Sequence, residues 1–140
     1  LLTTKLAEIP GITPLSIPDY LDVYSCWMAG FSIDPGAFSC DTDTFAKECA
    51  DAGLTGAGTG RYYLMPPACT FLTENAANKV YPYSTPPASR SYEYNENTCP
   101  TARDFLETFV RWSTFCERYT EEHVDMATEI VRRVAEANRK

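Results

Sequence analysis

Histidine is almost missing from this 140-residue chain, which has one, at position 123. No Cys-x-x-Cys or His-x-x-x-His pair occurs, so the ligand spacings of a structural or catalytic zinc site are absent. There is no Gly-x-Ser-x-Gly elbow, and a serine triad would have to use His123,. No apolar run approaches the roughly 18–20 residues that a membrane-crossing helix needs. Asn-x-Ser/Thr sequons are lacking, and Asn97-Thr98-Cys99 matches only the rare Asn-x-Cys variant,.

Positive charge is also scarce. Twelve Lys and Arg face nineteen Asp and Glu, for a net charge of −7. Residues 1–60 hold most of the imbalance, with Lys5 and Lys47 against eight carboxylates. Nucleic acid requires a positive field that displaces phosphate counterions, and this chain has no basic stripe. Anionic membrane surfaces are disfavoured on the same ground.

Cysteine is present in an even number, at 26, 40, 49, 69, 99 and 116. Wide spacing without metal-ligand patterns predicts three disulfides from Cys26, Cys40, Cys49, Cys69, Cys99 and Cys116, and hence a secreted, extracellular protein. The first residue is Leu1 rather than Met, as in a chain whose leader has been removed,. Helix geometry sets Cys40 and Cys49 about 12 Å apart and Cys99 and Cys116 about 24 Å apart, too far for bridges. Cys69–Cys99 is the pairing that would clamp the stretch between them.

Apolar residues make up 44% and charged residues 22%, values that fit a folded domain. A single domain over 1–140 is expected, mainly α, with three or four helices stapled by disulfides. Pro10, Gly11 and Pro14 predict an extended arm over 1–16. Pro18 and Asp19 open a helix carrying Leu21, Tyr24, Met28 and Phe31, stopped by Gly30 and Asp34-Pro35-Gly36. Asp41 caps a helix over 42–52, with Gly53 just past its end. Four glycines in 53–60 predict a flexible loop. Arg61–Met65 reads as a short optional strand, and Pro66-Pro67 starts a helix reaching about Asn78. Residues 79–98, with Pro82, Pro86 and Pro87, are predicted irregular.

The longest pattern is C-terminal. Phe105, Phe109, Trp112, Cys116, Tyr119, His123, Met126 and Ile130 alternate steps of four and three, with no Gly or Pro from Thr101 to Lys140. That periodicity predicts one long helix over 101–138. About 35 residues would span roughly 50 Å, so a kink near Ser113-Thr114 or a protruding end is expected.

Candidate sites are weighed against plainer roles. His123 on an apolar stripe reads as a core histidine before a metal ligand or base. Gly56-Ala57-Gly58-Thr59-Gly60-Arg61 lacks the Gly-Lys-Ser/Thr of a phosphate loop. Asp41, Asp43 and Glu48 lack the calcium-loop pattern, because its sixth and twelfth positions hold Ala46 and Ala52,. No catalytic residue, metal or cofactor is assigned, and an enzyme is the weaker expectation. Six of nine tyrosines lie between Tyr62 and Tyr94. Arg61, Tyr62, Tyr63, Tyr81, Tyr83, Arg90, Tyr92 and Tyr94 therefore form the candidate binding set, since tyrosine combines contact area, a polar tip and little rotamer entropy. The leading expectation is a secreted, non-enzymatic binder, an extracellular effector, ligand or toxin-like module, contacting another protein or an extracellular surface component. Three alternatives stand beside it: a carrier of a small apolar ligand in a pocket of Trp27, Met28, Phe109, Trp112 and Met126, a subunit of a larger assembly, and a carboxylate-dependent hydrolase.

Overall fold

A computed structural model describes residues 1–23, 25, 27–60, 64–83, 86–88 and 92–140. It divides into two compact units, Leu1–Gly60 with Thr108–Lys140, and Arg61–Glu107. In sequence the second unit is an insertion in the first. The fold is mixed α/β, 44% helical and 13% strand, built on a four-stranded antiparallel sheet. This overturns the expectation of a mainly α, disulfide-stapled bundle.

In the first unit, α1 (Leu2–Ala7) leads through a turn into β1 (Ile12–Pro14). Gly11 makes that turn at φ +85°, and a Cβ there would lie 2.8 Å from the Phe38 ring, so glycine is required twice over. The expected arm over 1–16 is thus a helix and a strand. β1 pairs with β2 (Ala29–Ile33) in the register Ile12↔Ile33 and Pro14↔Phe31. Proline is tolerated because β1 is an edge strand.

The helix expected after Pro18 is reduced to one turn, with Leu21 N–H donating to the Pro18 carbonyl at 3.1 Å. Tyr20, Leu21, Val23 and Trp27 are exposed. A short helix with no buried face has little to hold it. The chain instead enters the sheet at Ala29, and Phe31, assigned by spacing to that helix, sits in β2.

α2 (Thr42–Asp51) occupies the stretch where its local signals place a helix. The Asp41 side chain accepts from the Thr44 N–H at 2.8 Å, and Gly53 follows the last turn at φ +112°. The supposed loop over 53–60 contains β3 (Ala57–Thr59), the other edge of the sheet. Thr59 Oγ1 donates to Asp43 Oδ1 at 2.7 Å, tying that edge to α2.

The predicted long helix is three elements: α5 (Pro100–Thr108), β4 (Phe109–Trp112) and α6 (Glu121–Ala137). β4 is an interior strand in the order β1-β2-β4-β3, paired Phe31↔Val110 and Thr59↔Val110. Alternation then sorts the side chains. Ala29, Phe31, Ile33, Val110 and Trp112 join the main core with residues of α1, α2 and α6. Phe109 points the other way, its ring against Gly30. The α6 residues that are buried include Val124, Ala127, Val131 and Val134. His123 and Met126, chosen by the longer periodicity, are exposed.

In the second unit, α3 (Met65–Ala68) and α4 (Thr70–Ala77) follow one another. Leu64 precedes α3 and Met65 opens it, which removes the end of the optional strand; Arg61–Tyr63 lie outside the described residues. α4 closes with Lys79 at φ +54°, its N–H donating to Ala76 O (3.2 Å), while Val80 N–H reaches Asn75 O (2.9 Å). This is the paired bonding of a Schellman stop. Asn95 starts a 3-10 turn (Glu96–Thr98) by accepting from Asn97 N–H at 2.8 Å. Among the described residues of 79–95 there is no α-helix or strand.

The cysteines correct the staple expectation. Cys40, Cys49, Cys69, Cys99 and Cys116 are unbridged, so the Cys69–Cys99 clamp is absent. Cys26 lies outside the described residues. An even count carries no geometry: Cys40 lies near enough to Cys49 to affect its thiol, yet the two are unbridged. Cys49 is fully buried on the inner face of α2, where it packs as a small hydrophobe. Burial, with the Glu48 carboxylate adding to it, pushes its thiol up to about 12, which keeps it protonated and unreactive at neutral pH. Cys40 is raised by the same two causes in the same order.

Candidate functional site

The second unit has a groove of about 420 Å³ between α4 and the run that precedes the 3-10 turn. Thr73, Ala76 and Ala77 form the helical wall, and Tyr92, Glu93, Tyr94 and Asn95 the other. Tyr92 and Tyr94 stack on each other, ring centroids 6.3 Å apart and planes 29° from parallel. Lys79 lines the same groove, and its left-handed backbone follows from the α4 stop. The Asn95 cap fixes where the tyrosine run ends. Behind it, Arg103 Nη1 donates to Asn97 Oδ1 at 2.5 Å. Charges of both signs, Lys79 and Glu93, flank the aromatic pair.

Of the eight residues in the candidate binding set, Tyr92 and Tyr94 are brought together. Tyr81 is 68% exposed and Tyr83 half-buried on the turn beyond α4, and neither lines the groove. Arg61, Tyr62, Tyr63 and Arg90 lie outside the described residues.

The polar residues weighed for chemistry have structural partners. His123 lies in the first turn of α6, where its Nδ1 accepts from the Thr120 N–H at 3.2 Å, which leaves the proton of a neutral ring on Nε2. Its ring stacks on Tyr119 at 5.2 Å. It is therefore a helix-start residue rather than a core one. Asp41 caps α2, Asp43 holds Thr59, and Glu48 accepts from Asn138 Nδ2 at 2.6 Å. Among the described residues no group of three or more His, Cys, Asp or Glu could hold a metal ion. No described helix is long and apolar enough to cross a membrane.

The five residues proposed for an apolar pocket do not converge. Trp27 is 76% exposed and Met126 61% exposed, while Phe109 and Trp112 are buried on opposite faces of β4. Trp112 Nε1 donates to Thr114 Oγ1 at 3.0 Å and to Thr55 O at 3.2 Å. Only Met28 of the five lines the larger concavity of the first unit, about 500 Å³. Sequence reasoning missed that concavity. Its walls come from α1, the β1–β2 connection and the segment between β4 and α6. The one signal in the chain was the apolar Leu1, Leu2 and Leu6, which belonged to a supposed extended arm.

No family model, curated protein or solved structure matches the chain.

Proposed function

We propose that this protein acts by binding another protein rather than by catalysis, and that its contact surface is the tyrosine-bearing part of the second unit. The stacked Tyr92–Tyr94 pair beside the α4 groove is the observation that carries this reading. Two rings held against one another offer contact area at low conformational cost. Lys79 and Glu93 at the same groove give a partner charges of both signs to match, which favours specificity. Tyr81 is exposed on the turn beyond α4. The structural engagement of His123, Asp41, Asp43 and Glu48 supports a binding role over the hydrolase alternative. Unbridged cysteines remove the sulfur-based ground for an extracellular setting, so the proposed binder keeps its shape by packing and hydrogen bonds.

The test is a double substitution, Tyr92→Ala with Tyr94→Ala. Both rings are partly exposed, so the far-ultraviolet circular dichroism is expected to stay unchanged. Removing a hot-spot aromatic pair, whose members do not act additively, costs at least about 2 kcal/mol in all. A partner captured from the native source by the unaltered protein, then titrated, is expected to bind the double variant at least about 30-fold more weakly. Equal affinity for both proteins contradicts the reading.

A further inference from the structure

We infer that the start of α6 is a pH-sensitive latch, in which His123 exchanges one hydrogen bond to Thr120 for another when its ring gains a proton. The latch is separate from the tyrosine surface and does not depend on it. His123 is the only histidine in the chain, and histidine is the side chain whose charge ordinarily changes between about pH 5 and 8. It is exposed, so solvent can deliver the proton.

A capping box usually carries Glu or Gln at its third helical position, and here that position is His123. The Thr120 N–H donates to Nδ1 at 3.2 Å, and Thr120 Oγ1 lies 2.7 Å from the same nitrogen. Only a neutral ring with its proton on Nε2 can accept from that N–H. An imidazolium carries protons on both nitrogens, so Nδ1 turns from acceptor to donor. Thr120 Oγ1 is already within hydrogen-bond distance to accept from it. One added proton therefore trades the backbone bond that closes the helix start for a side-chain bond, and hands the Thr120 N–H to water.

The groups around the ring keep it in place while its bonding changes. Tyr119 stacks on it, 5.2 Å between centroids and 15° between planes, and an aromatic face also receives a cation. Glu121 and Glu122 in the same helical turn attract an imidazolium, and the positive end of the α6 dipole repels it. Asp125 is paired with Lys5 of α1, and the Leu1 amine lies with Glu121 at the concavity. On α2, Lys47 pairs with Asp51, and Glu48 is held by Asn138. Glu117 and Arg118 precede Tyr119 in the β4–α6 segment. Thr120 joins α6 to that segment, whose Phe115 and Tyr119 rings form a wall of the concavity and pack on Trp112, 5.2–5.6 Å between centroids. Release of the Thr120 N–H unlocks this joint, and the wall gains freedom as pH falls.

Nuclear magnetic resonance of the whole chain tests the latch. At about pH 8 the imidazole nitrogens should show Nδ1 without a proton. Between about pH 8 and pH 5 the protection factor of the Thr120 amide is expected to fall about fivefold, the worth of one net hydrogen bond. The Phe115 ring should shift with the same midpoint as His123. His123→Gln keeps a cap acceptor that does not titrate, and should hold the amide protected at both pH values. His123→Ala should leave it unprotected at both. A neutral ring protonated at Nδ1, equal Thr120 protection at the two pH values in the unaltered chain, or a His123→Gln variant that loses protection in the same way overturns the inference. A Phe115 ring indifferent to the His123 titration confines the change to the cap and overturns the latch.

Discussion

Phe45→Ala is expected to lower the unfolding free energy of the first unit by about 3–5 kcal/mol, the usual cost of removing a buried phenylalanine ring. Phe45 is 0% exposed. It stands on the inner face of α2, where its ring meets Phe38 at 5.1 Å and Phe31 of β2 at 6.3 Å, the latter edge to face. The substitution loses apolar burial, ring contacts and packing at once, and helix and sheet cannot both close on the void. Against a total stability of about 5–15 kcal/mol for a domain, this is a large fraction. Urea unfolding should show the midpoint falling steeply with little change in slope. Tyr20→Ala, at an exposed ring of the same unit, should stay within about 0.5 kcal/mol. Similar midpoints for the two variants would place the core elsewhere.

Gly30→Ala should destabilise by about 2–3 kcal/mol through overpacking. Gly30 lies in β2, an interior strand, and an added Cβ would stand 2.3 Å from Phe109 Cζ and 2.8 Å from the Val110 carbonyl oxygen. The ring is itself buried, and the carbonyl belongs to the neighbouring strand, so neither can yield without moving β4. Gly58→Ala is the matched comparison. It sits on the edge strand β3, its nearest neighbour would be an Arg111 nitrogen at 3.6 Å, and a change within about 0.5 kcal/mol is expected. Thermal unfolding of the two alanine variants reads the difference directly, and equal losses contradict the placement of Phe109 over Gly30.

α2 is legible in the chain because its signals are local. An aspartate cap, an apolar face of Phe45 and Cys49, and a glycine past the last turn all lie within thirteen residues. β4 is not legible, because Phe-Val-Arg-Trp satisfies both a helical stripe and a strand. Its state is decided by β2 and β3, about 80 and 50 residues earlier in the chain,. The expected kink at Ser113-Thr114 marks a real departure, though it is the turn that leaves β4. Selecting the bulkiest residues at helical spacing chose His123 and Met126, whereas α6 buries the smaller Val124, Ala127 and Val131 one step around. The tyrosines of the candidate site were visible as composition. Their stacking and the α4 wall opposite could not be read from spacing. The apolar concavity escaped notice because its walls come from segments more than a hundred residues apart.

Everything positioned in the first unit depends on residues 109–112 being a strand between two others. Nuclear Overhauser contacts of the Val110 backbone test this most directly. The structure predicts cross-strand contacts from Val110 to both Phe31 and Thr59, and from Arg111 to both Gly30 and Gly58. An unbroken series of helical contacts three residues apart from Phe105 through Tyr119, with no signal to Phe31 or Thr59, would contradict it.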